Sequence, residues 1–446
     1  MEFLANKFAV LGLGKSGLAA AYKLKELGIS PFLSEKKSRE AIDIAAEIDR
    51  KFEVEYGGHS SKVLDNDIII LSPGIPQNIS IIKKAREKNI EVISEIEFAY
   101  RIKAKQSKII AVTGSNGKST TVSIIKHLLN QQEKKTILAG NIGYALSSFP
   151  IEKPGIDYIV LEVSSFQLEL LKQFKADVAV LLNITPDHLN RYESFDKYAE
   201  TKFKIFNRQT KHDLAVLNFD DRTIAKYLSL VKAEKLFFSL KKSQDAYLKN
   251  RKIYLKNKTY SLKKTNLKGL HNYANIMAAL LSVDKIGLDD DKIKNALANF
   301  KPLEHRLEFV DKIGGVAFYN DSKATNTDSV LYGLQSFQQP VRAIMGGSDK
   351  GEDFTKLIPV LKKTVRKVYL IGETRTKMAK IFASSIDYQI FDDFEEVIRA
   401  AYLESNPGEI VLLSPACASY DMFDNFEMRG KKFKQIVGKI KDETKI

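Results

Sequence analysis

The segment best suited to bind a phosphate group is a glycine-rich turn that leads into a lysine and two hydroxyl side chains. It reads Thr-Gly-Ser-Asn-Gly-Lys-Ser-Thr over residues 113–120 and follows an apolar run. The N–H groups of such a turn bind phosphate oxygens, with the positive end of a helix dipole behind them. Lys118 is in register for the terminal phosphates, and Ser119 or Thr120 for Mg²⁺. The spacing predicts that the protein binds and uses ATP, although Val112 stands where the strict motif has glycine.

Further polar side chains follow apolar runs of the same region. Glu162 ends the run at 158–162, and His188 comes shortly after a second run. A carboxylate at Glu162 would hold Mg²⁺ beside the loop phosphates, because hard cations prefer oxygen ligands. His188 either ligates a second metal or caps a turn. By spacing alone, Lys202 is a helical lysine, and Asn275 either offers its amide to a purine or helps to begin a helix.

A second glycine pattern lies at the start of the chain. Gly12, Gly14 and Gly17 match the dinucleotide fingerprint, and Glu35 lies where a ribose partner is expected. The pattern fits a nicotinamide, a flavin or the diphosphate of another nucleotide, and it also fits tight packing of a strand against a helix.

The last third of the chain holds two polar clusters, each after an apolar run. Residues 320–326 read Asn-Asp-Ser-Lys-Ala-Thr-Asn, and residues 414–419 read Ser-Pro-Ala-Cys-Ala-Ser. The concentration of charged, amide and hydroxyl side chains in the first cluster indicates a functional site. A nucleophilic Cys417 would need a histidine base. No histidine follows His305, so a small buried thiol is the better interpretation.

Composition limits the classes of protein that remain. The chain has 446 residues, 44% hydrophobic and 28% charged, as is typical of a soluble globular protein with two to four domains. No export signal or run of about 18 apolar residues is present, which predicts no membrane span. The single cysteine excludes an internal disulfide and fits a reducing cytoplasm. The net charge of +15 comes from dispersed lysines, which fit small anionic substrates better than nucleic acid.

The elements that must position these residues are alternating strands and helices, which predict α/β domains with parallel sheets. We predict a Rossmann-like domain at 1–96, a central P-loop ATPase α/β domain at 97–302 and a doubly wound α/β domain at 303–446. The lysine-rich stretch 240–266 is interpreted as a surface excursion and 271–283 as an amphipathic helix.

Three function classes follow from the residues. An enzyme that uses ATP leads, which the resemblance described below narrows to an amide ligase; a dinucleotide-dependent oxidoreductase built on Gly12–Gly17 is second, and a basic nucleic-acid-binding ATPase is third. The ATP loop and its metal carboxylate, placed in a separate domain, favour the first class.

Several motifs together resemble the Mur ligase family over essentially the whole chain. They include the phosphate loop, Leu-Glu-Val-Ser-Ser-Phe-Gln at 161–167, Gly-Leu-His-Asn-Tyr-Ala-Asn at 269–275 and His305-Arg306. The C-terminal clusters are similar to those of the branch that adds D-glutamate to UDP-N-acetylmuramoyl-L-alanine in cytoplasmic peptidoglycan precursor synthesis. The phosphate loop is shared across the superfamily, so a folate or other amino-acid ligase stays open.

The resemblance implies a monomer with ATP, two Mg²⁺ sites and an acyl-phosphate intermediate. It implies that Lys202 becomes carbamylated and so turns from a cation into a metal-binding carboxylate. The catalytic residues implied are Lys118, Glu162, His188, Lys202 and Lys323, and the metal ligands are Ser119, Glu162, His188 and Lys202. The nucleotide contacts are Gly114, Ser115, Asn116, Gly117, Lys118, Ser119, Thr120, Asn275, Arg306, Asp321 and Lys323. The UDP-sugar contacts are Ser16, Gly74, Asn141 and Ser164, with His188 also among the substrate-binding residues, and the D-glutamate contacts are Thr325, Lys350, Ser419 and Phe426.

Overall fold

The computed structural model describes residues 2–186, 191–267 and 269–444. The chain divides into two compact units. The first comprises residues 1–184, 194–263 and 274–297, and the second comprises the remainder. In the described part of the chain, no helix is long and apolar enough to cross a membrane.

The N-terminal part of the first unit is a parallel sheet of five strands in the order β3-β2-β1-β4-β5. Successive residues of its central strands face opposite sides, so that Val10 packs into one apolar cluster and Ala9 into another. Its elements are β1 (Phe8–Leu11), α1 (Lys15–Glu26), β2 (Phe32–Ser34), α2 (Ala45–Asp49), β3 (Glu53–Glu55), β4 (Ile68–Leu71), α3 (Ser80–Glu87), β5 (Glu91–Ile93) and α4 (Glu95–Ile102).

The rest of the first unit is built on a nine-stranded sheet in the order β14-β13-β12-β11-β10-β9-β6-β8-β7. Its elements are β6 (Lys108–Thr113), α5 (Lys118–Asn130), β7 (Thr136–Gly140), β8 (Tyr158–Glu162), α6 (Ser165–Leu168), β9 (Val178–Leu181), α7 (Phe195–Phe203), β10 (Leu214–Asn218), α8 (Arg222–Lys226), β11 (Glu234–Ser239), β12 (Ala246–Lys249), β13 (Lys252–Leu255), β14 (Lys258–Ser261), α9 (Leu270–Val283) and α10 (Asp290–Asn299). The strands from β7 to β12 pair in parallel, whereas β12, β13 and β14 form the antiparallel excursion expected from the lysine-rich stretch. Strands β7 and β8 lie on one side of β6, and β9 and the later strands lie on the other. The sheet therefore has a topological switch point at β6, and ligands of open α/β sheets bind at such a point.

The second unit contains a six-stranded sheet in the order β15-β16-β20-β17-β18-β19. Its elements are β15 (Glu308–Ile313), β16 (Val316–Asn320), α11 (Thr327–Leu334), β17 (Val341–Met345), α12 (Ile358–Thr364), β18 (Val365–Leu370), α13 (Arg375–Phe382), β19 (Tyr388–Ile390), α14 (Phe394–Leu403), β20 (Ile410–Leu413) and α15 (Phe426–Thr444). Only β15 runs antiparallel in this sheet. Apolar clusters cover both faces, with Leu412 on one side and Val411 on the other. The predicted α/β class and its parallel sheets are therefore confirmed.

Short 3₁₀ helices connect some of these elements. They span Glu2–Ala5, Arg39–Ala41, Ser61–Asp65, Leu146–Ser148, Lys204–Phe206, Leu228–Leu230, Asp284–Ile286 and Phe354–Leu357.

Candidate active site

The glycine-rich turn lies between the end of β6 and the start of α5, as the sequence predicts. Gly114 and Gly117 have φ angles of 151° and 89°, values that side chains with a Cβ rarely adopt. The Nζ atom of Lys118 donates hydrogen bonds of 2.8 Å to the carbonyl oxygens of Gly114 and Ser115. The lysine therefore already lies along the turn that would hold the phosphates.

Asn183, which follows β9, fixes the shape of this turn. Its backbone oxygen accepts the N–H of Ser115 at 3.0 Å, and its Oδ1 accepts the N–H of Asn116 at 2.8 Å. Its Nδ2 donates to the carbonyl oxygen of Asn116 at 3.0 Å. No role was predicted for Asn183. The available signal was an amide directly after a strand that a parallel sheet can bring beside β6.

Glu162 stands beside the base of the turn because β8 pairs with β6 in a register that sets Val112 opposite it. Its side chain is 2% exposed. The Nδ2 atom of Asn141 donates to its Oε1 at 2.8 Å, and the backbone N–H of Asn141 donates to its carbonyl oxygen at 2.9 Å. Asn141 was expected to contact the UDP-sugar, and in this structure its amide orients the predicted metal ligand.

The chemistry of these donors fits Mg²⁺. Ser119, in the first turn of α5, is 1% exposed and supplies a hydroxyl oxygen, while Glu162 supplies a carboxylate. Among the described residues, no group of three or more His, Cys, Asp or Glu side chains could enclose a metal. Magnesium commonly binds through one or two carboxylates together with substrate phosphates, so a sparse protein donor set is the expected kind. His188, the other predicted ligand, lies outside the described residues.

Lys202 is buried below the phosphate turn, on α7. It is 2% exposed, and its Nζ donates to the carbonyl oxygen of Gly114 at 3.0 Å. The same nitrogen lies 4.6 Å from the ring centroid of Tyr198, whose hydroxyl is 3.1 Å from the Oγ of Ser115. Tyr198 therefore connects Lys202 to the turn. Sequence reasoning missed it, although it lies four residues before Lys202 and so one helical turn away.

Asn275 also reaches the turn. It lies on α9, is 5% exposed, and its side-chain oxygen packs so closely against Gly117 that a Cβ there would clash with it. Thr120, in the first turn of α5, is buried as well. The first unit thus gathers the predicted loop, Glu162, Lys202 and Asn275 around one glycine-rich turn.

The second unit holds Arg306, Asp321 and Lys323 near the carboxyl end of β16. The two carboxylate oxygens of Asp321 accept hydrogen bonds from the Leu307 N–H at 3.2 Å and the Ser414 hydroxyl at 3.0 Å. Burial raises the pKa of Asp321 to about 7, and these hydrogen bonds and the charge of Arg306 oppose that rise. The carboxyl group is therefore poised to gain or lose a proton near neutral pH.

Lys323 and Phe426, assigned to different ligands, contact each other. The Nζ of Lys323 lies 5.1 Å from the centroid of the Phe426 ring, a cation–π geometry. His305 packs edge-on against the same ring at 6.2 Å, and its Nδ1 is 2.8 Å from the Nδ2 of Asn320. Within this unit, a residue predicted to contact the nucleotide therefore lies against one predicted to contact D-glutamate.

Thr325, Lys350 and Ser419 lie on three loops that follow β16, β17 and β20. These strands are consecutive in the sheet, with β20 between the other two. Because the carboxyl ends of parallel strands share one edge, the three loops meet there. Lys350 is exposed and Ser419 is 2% exposed.

A buried arginine joins two of these loops, those after β16 and β20. Arg429, 1% exposed, donates to the carbonyl oxygens of Ser322, Cys417 and Ala418 and to the Ser322 hydroxyl. Burial lowers its pKa to about 10. Burial also raises the pKa of Cys417 to about 12, so the thiol stays protonated, in agreement with the expected small buried thiol.

The N-terminal sheet carries the glycine turn of the second pattern. The Oε2 of Glu35 accepts the N–H of Leu13 within that turn at 2.7 Å, and the Oγ of Ser72 donates to the carbonyl oxygen of Gly12 at 2.8 Å. Ser16 is half-buried in the first turn of α1, and Gly74 is exposed after β4. Here Glu35 holds the turn rather than presenting a free carboxylate.

Ser164, the remaining predicted UDP-sugar contact, caps α6. Its hydroxyl accepts the N–H of Gln167 at 3.3 Å, and the Gln167 side chain accepts the N–H of Ser164 at 3.0 Å. This reciprocal pair fixes the segment directly after Glu162.

Family models match three consecutive parts of the chain. Residues 6–94 match the MurD-like N-terminal domain of Mur ligases, residues 112–283 the Mur ligase middle domain, and residues 305–417 the Mur ligase glutamate ligase domain. The chain belongs to the Mur ligase family. Membership decides between the function classes left open by the residues, in favour of an ATP-dependent ligase.

Two named relatives align with nearly the whole chain. A protein of Caldanaerobacter subterraneus is 39% identical, covering 98% of this chain and 99% of its own. One of Cytophaga hutchinsonii is 43% identical, covering 97% of this chain and 99% of its own. Both are named UDP-N-acetylmuramoylalanine–D-glutamate ligase.

Solved Mur ligase structures share the fold. The UDP-N-acetylmuramate–alanine ligase of Thermotoga maritima aligns with a TM-score of 0.63 at 18% identity, covering 98% of this chain and 100% of its own. The MurF ligase of the same organism, solved with ADP, aligns with a TM-score of 0.63 at 20% identity, covering 98% of this chain and 99% of its own. At these identities the likeness supports the fold.

Proposed function

We propose that this chain joins D-glutamate to UDP-N-acetylmuramoyl-L-alanine at the expense of ATP. The observation that carries the chemistry is the gathering of Lys118, Glu162 and Lys202 around one glycine-rich turn. The substrates are inferred from the relatives named for this reaction, which match at up to 43% identity over nearly the whole chain.

The reaction has two steps. The alanyl carboxylate attacks the γ-phosphorus of ATP, and the bond to ADP breaks to give an acyl phosphate. The amine of D-glutamate then attacks the acyl carbon, an amide bond forms, and phosphate leaves with the electron pair of the C–O bond while the attacking amine gives up one of its two protons. Negative charge on phosphoryl oxygens must be balanced in the first step; we propose Lys118 for this task, and Lys323 stays a predicted ATP contact of the second unit.

Two Mg²⁺ ions are proposed, with Ser119, Glu162, His188 and a modified Lys202 as their protein ligands. Bound Mg²⁺ would neutralise charge on the phosphates and orient them for in-line attack. Asn141 holds one oxygen of Glu162 and Asn183 holds the turn, so the chain's own residues preorganise this site before a nucleotide arrives.

Carbamylation of Lys202 fits its surroundings. The unprotonated amine of Lys202 would attack CO₂, forming an N–C bond as a C=O π bond breaks and releasing a proton. The product would carry a carboxylate on the side chain whose Nζ now donates to the carbonyl oxygen of Gly114 at 3.0 Å.

The remaining assignments complete the proposal. The three domains are expected at 1–96, 97–302 and 303–446, with the UDP-sugar at the first and D-glutamate at the third. The enzyme is proposed to act as a monomer in the cytoplasm, and light scattering of the purified protein tests the oligomeric state.

Phosphate release from ATP tests the function. Purified protein, Mg²⁺ and UDP-N-acetylmuramoyl-L-alanine are supplied with D-glutamate, L-glutamate, L-lysine or D-alanine in parallel. Release with D-glutamate alone is expected. Release with another amino acid would overturn the C-terminal assignments, and no release with any would overturn the proposal. Lys118→Ala should abolish release, whereas Lys126→Ala on the same helix α5 should not.

A further inference from the structure

Three loops at the carboxyl edge of the six-stranded sheet carry the residues proposed to bind D-glutamate. Backbone hydrogen bonds join the loops of strands that are neighbours in the sheet. The N–H of Ala416 donates to Ala324 at 2.9 Å, and the N–H of Ser348 donates to Ala418 at 3.0 Å. The β20 loop is thereby tied to the β16 loop on one side and to the β17 loop on the other.

The β16 and β17 loops cannot be joined in the same way, because β20 lies between their strands. A side chain bridges them instead. The Oε2 of Glu352 accepts the backbone N–H of Thr327 at 2.9 Å and its hydroxyl at 2.8 Å. Thr327 is 4% exposed and is the first residue of α11, where a carboxylate also meets the positive end of the helix dipole.

The bridge lies next to two of the proposed ligand contacts. Thr325 precedes Thr327 by two residues, and Lys350 precedes Glu352 by two residues. We propose that Glu352 is a positioning residue, which sets the distance between Thr325 and Lys350 and thereby the affinity for the acidic amino acid. The inference rests on the proposed function, since it concerns the same amino-acid site.

The charge of Glu352 gives the bridge a second consequence. A carboxylate two residues from Lys350 and free to move would compete with the substrate carboxylates for that lysine. Two hydrogen bonds to the start of α11 hold it away from this role. Loss of these two hydrogen bonds would also leave the Lys350 loop less ordered. Part of the binding free energy of D-glutamate would then be spent on ordering that loop.

Asp353 provides a matched control. It neighbours Glu352 and likewise accepts the backbone N–H and hydroxyl of a threonine, but that threonine is Thr355, two residues away in the 3₁₀ helix that directly follows. The two carboxylates therefore make the same kind of contact, and only Glu352 reaches across to the β16 loop.

Steady-state kinetics of the full chain test the proposal. Glu352→Ala should raise the KM for D-glutamate about tenfold, the scale of one charge-assisted hydrogen bond. The value of kcat and the KM for ATP should stay within about twofold, because saturating amino acid orders the loop. Glu352→Gln keeps an acceptor oxygen and should recover most of the affinity, and Asp353→Ala should leave the KM for D-glutamate unchanged.

The outcomes separate positioning from folding and from the wrong substrate. The proposal would be overturned if Glu352→Ala and Asp353→Ala had the same KM for D-glutamate. It would also be overturned if Glu352→Ala raised the KM for ATP as much as the KM for D-glutamate. If Glu352→Ala does not fold, Glu352→Gln and Thr327→Val decide, with a smaller rise expected for each. Failure of the wild-type protein to release phosphate with D-glutamate would instead refute the proposed function.

Discussion

Glu97, on α4, is a fully buried carboxylate that should contribute strongly to the stability of the first unit. It is 0% exposed. Its oxygens accept the backbone N–H groups of Lys172, Gln173 and Phe174 at 2.9, 2.7 and 3.0 Å and the Nε–H of Arg101 at 2.9 Å. One buried carboxylate thus satisfies three successive backbone donors and one guanidinium.

We predict that Glu97→Gln lowers the free energy of unfolding by about 3–5 kcal/mol, the usual cost of breaking a buried charge pair. Glutamine has the same shape but only one acceptor oxygen, and its NH₂ group must face either a backbone N–H or Arg101. At least one buried donor then loses its partner, at about 1–3 kcal/mol, and the remaining hydrogen bonds lose their charge assistance.

Urea unfolding followed by far-UV circular dichroism measures the overall change, since the chain has no tryptophan. Hydrogen exchange measures it locally, and the amides of residues 172–174 should lose protection. Glu87→Gln, an exposed glutamate on α3, should change stability by less than about 0.5 kcal/mol. Unchanged protection of the three amides, with an unfolding midpoint that moves no further than in the control, would refute the reasoning.

Three further predictions concern activity, metal and pH. Lys202→Ala should lose activity and regain part of it with short carboxylic acids, while Lys204→Ala stays active; full activity without added acid would contradict carbamylation. Asn141→Ala should weaken Mn²⁺ binding in the presence of a non-hydrolysable ATP analogue about tenfold by electron paramagnetic resonance, because it orients Glu162; affinity equal to that of Asn130→Ala, exposed at the end of α5, would argue against this role. Burial, aided by the charge of Arg306, lowers the pKa of His271 from 6.5 to about 4, so the unfolded chain binds the proton more readily. The wild type should therefore lose about 3 kcal/mol relative to His271→Gln as the pH falls from 6.5 to 4, and parallel stability curves for the two proteins would refute it.

The sequence alone was sufficient for the features that depend on local order. Glycines at 114 and 117, a lysine and a hydroxyl in fixed spacing specify a phosphate turn, because its shape is set by a few consecutive backbone angles. Apolar runs of four to six residues specified the buried parallel strands, and Cys417, with no histidine after His305 to act as its base, was correctly expected to be a small buried thiol.

Tertiary structure alone decided which distant side chains complete the site. Asn183 clamps the turn, Tyr198 links it to Lys202, Asn141 holds Glu162, and Glu352 spans two loops whose strands are not neighbours. Each contact depends on strand order and register, which bring together residues that are far apart in the chain. A local pattern shows that a polar residue follows a strand, but which backbone donor or carboxylate it meets is settled only when the sheet has assembled.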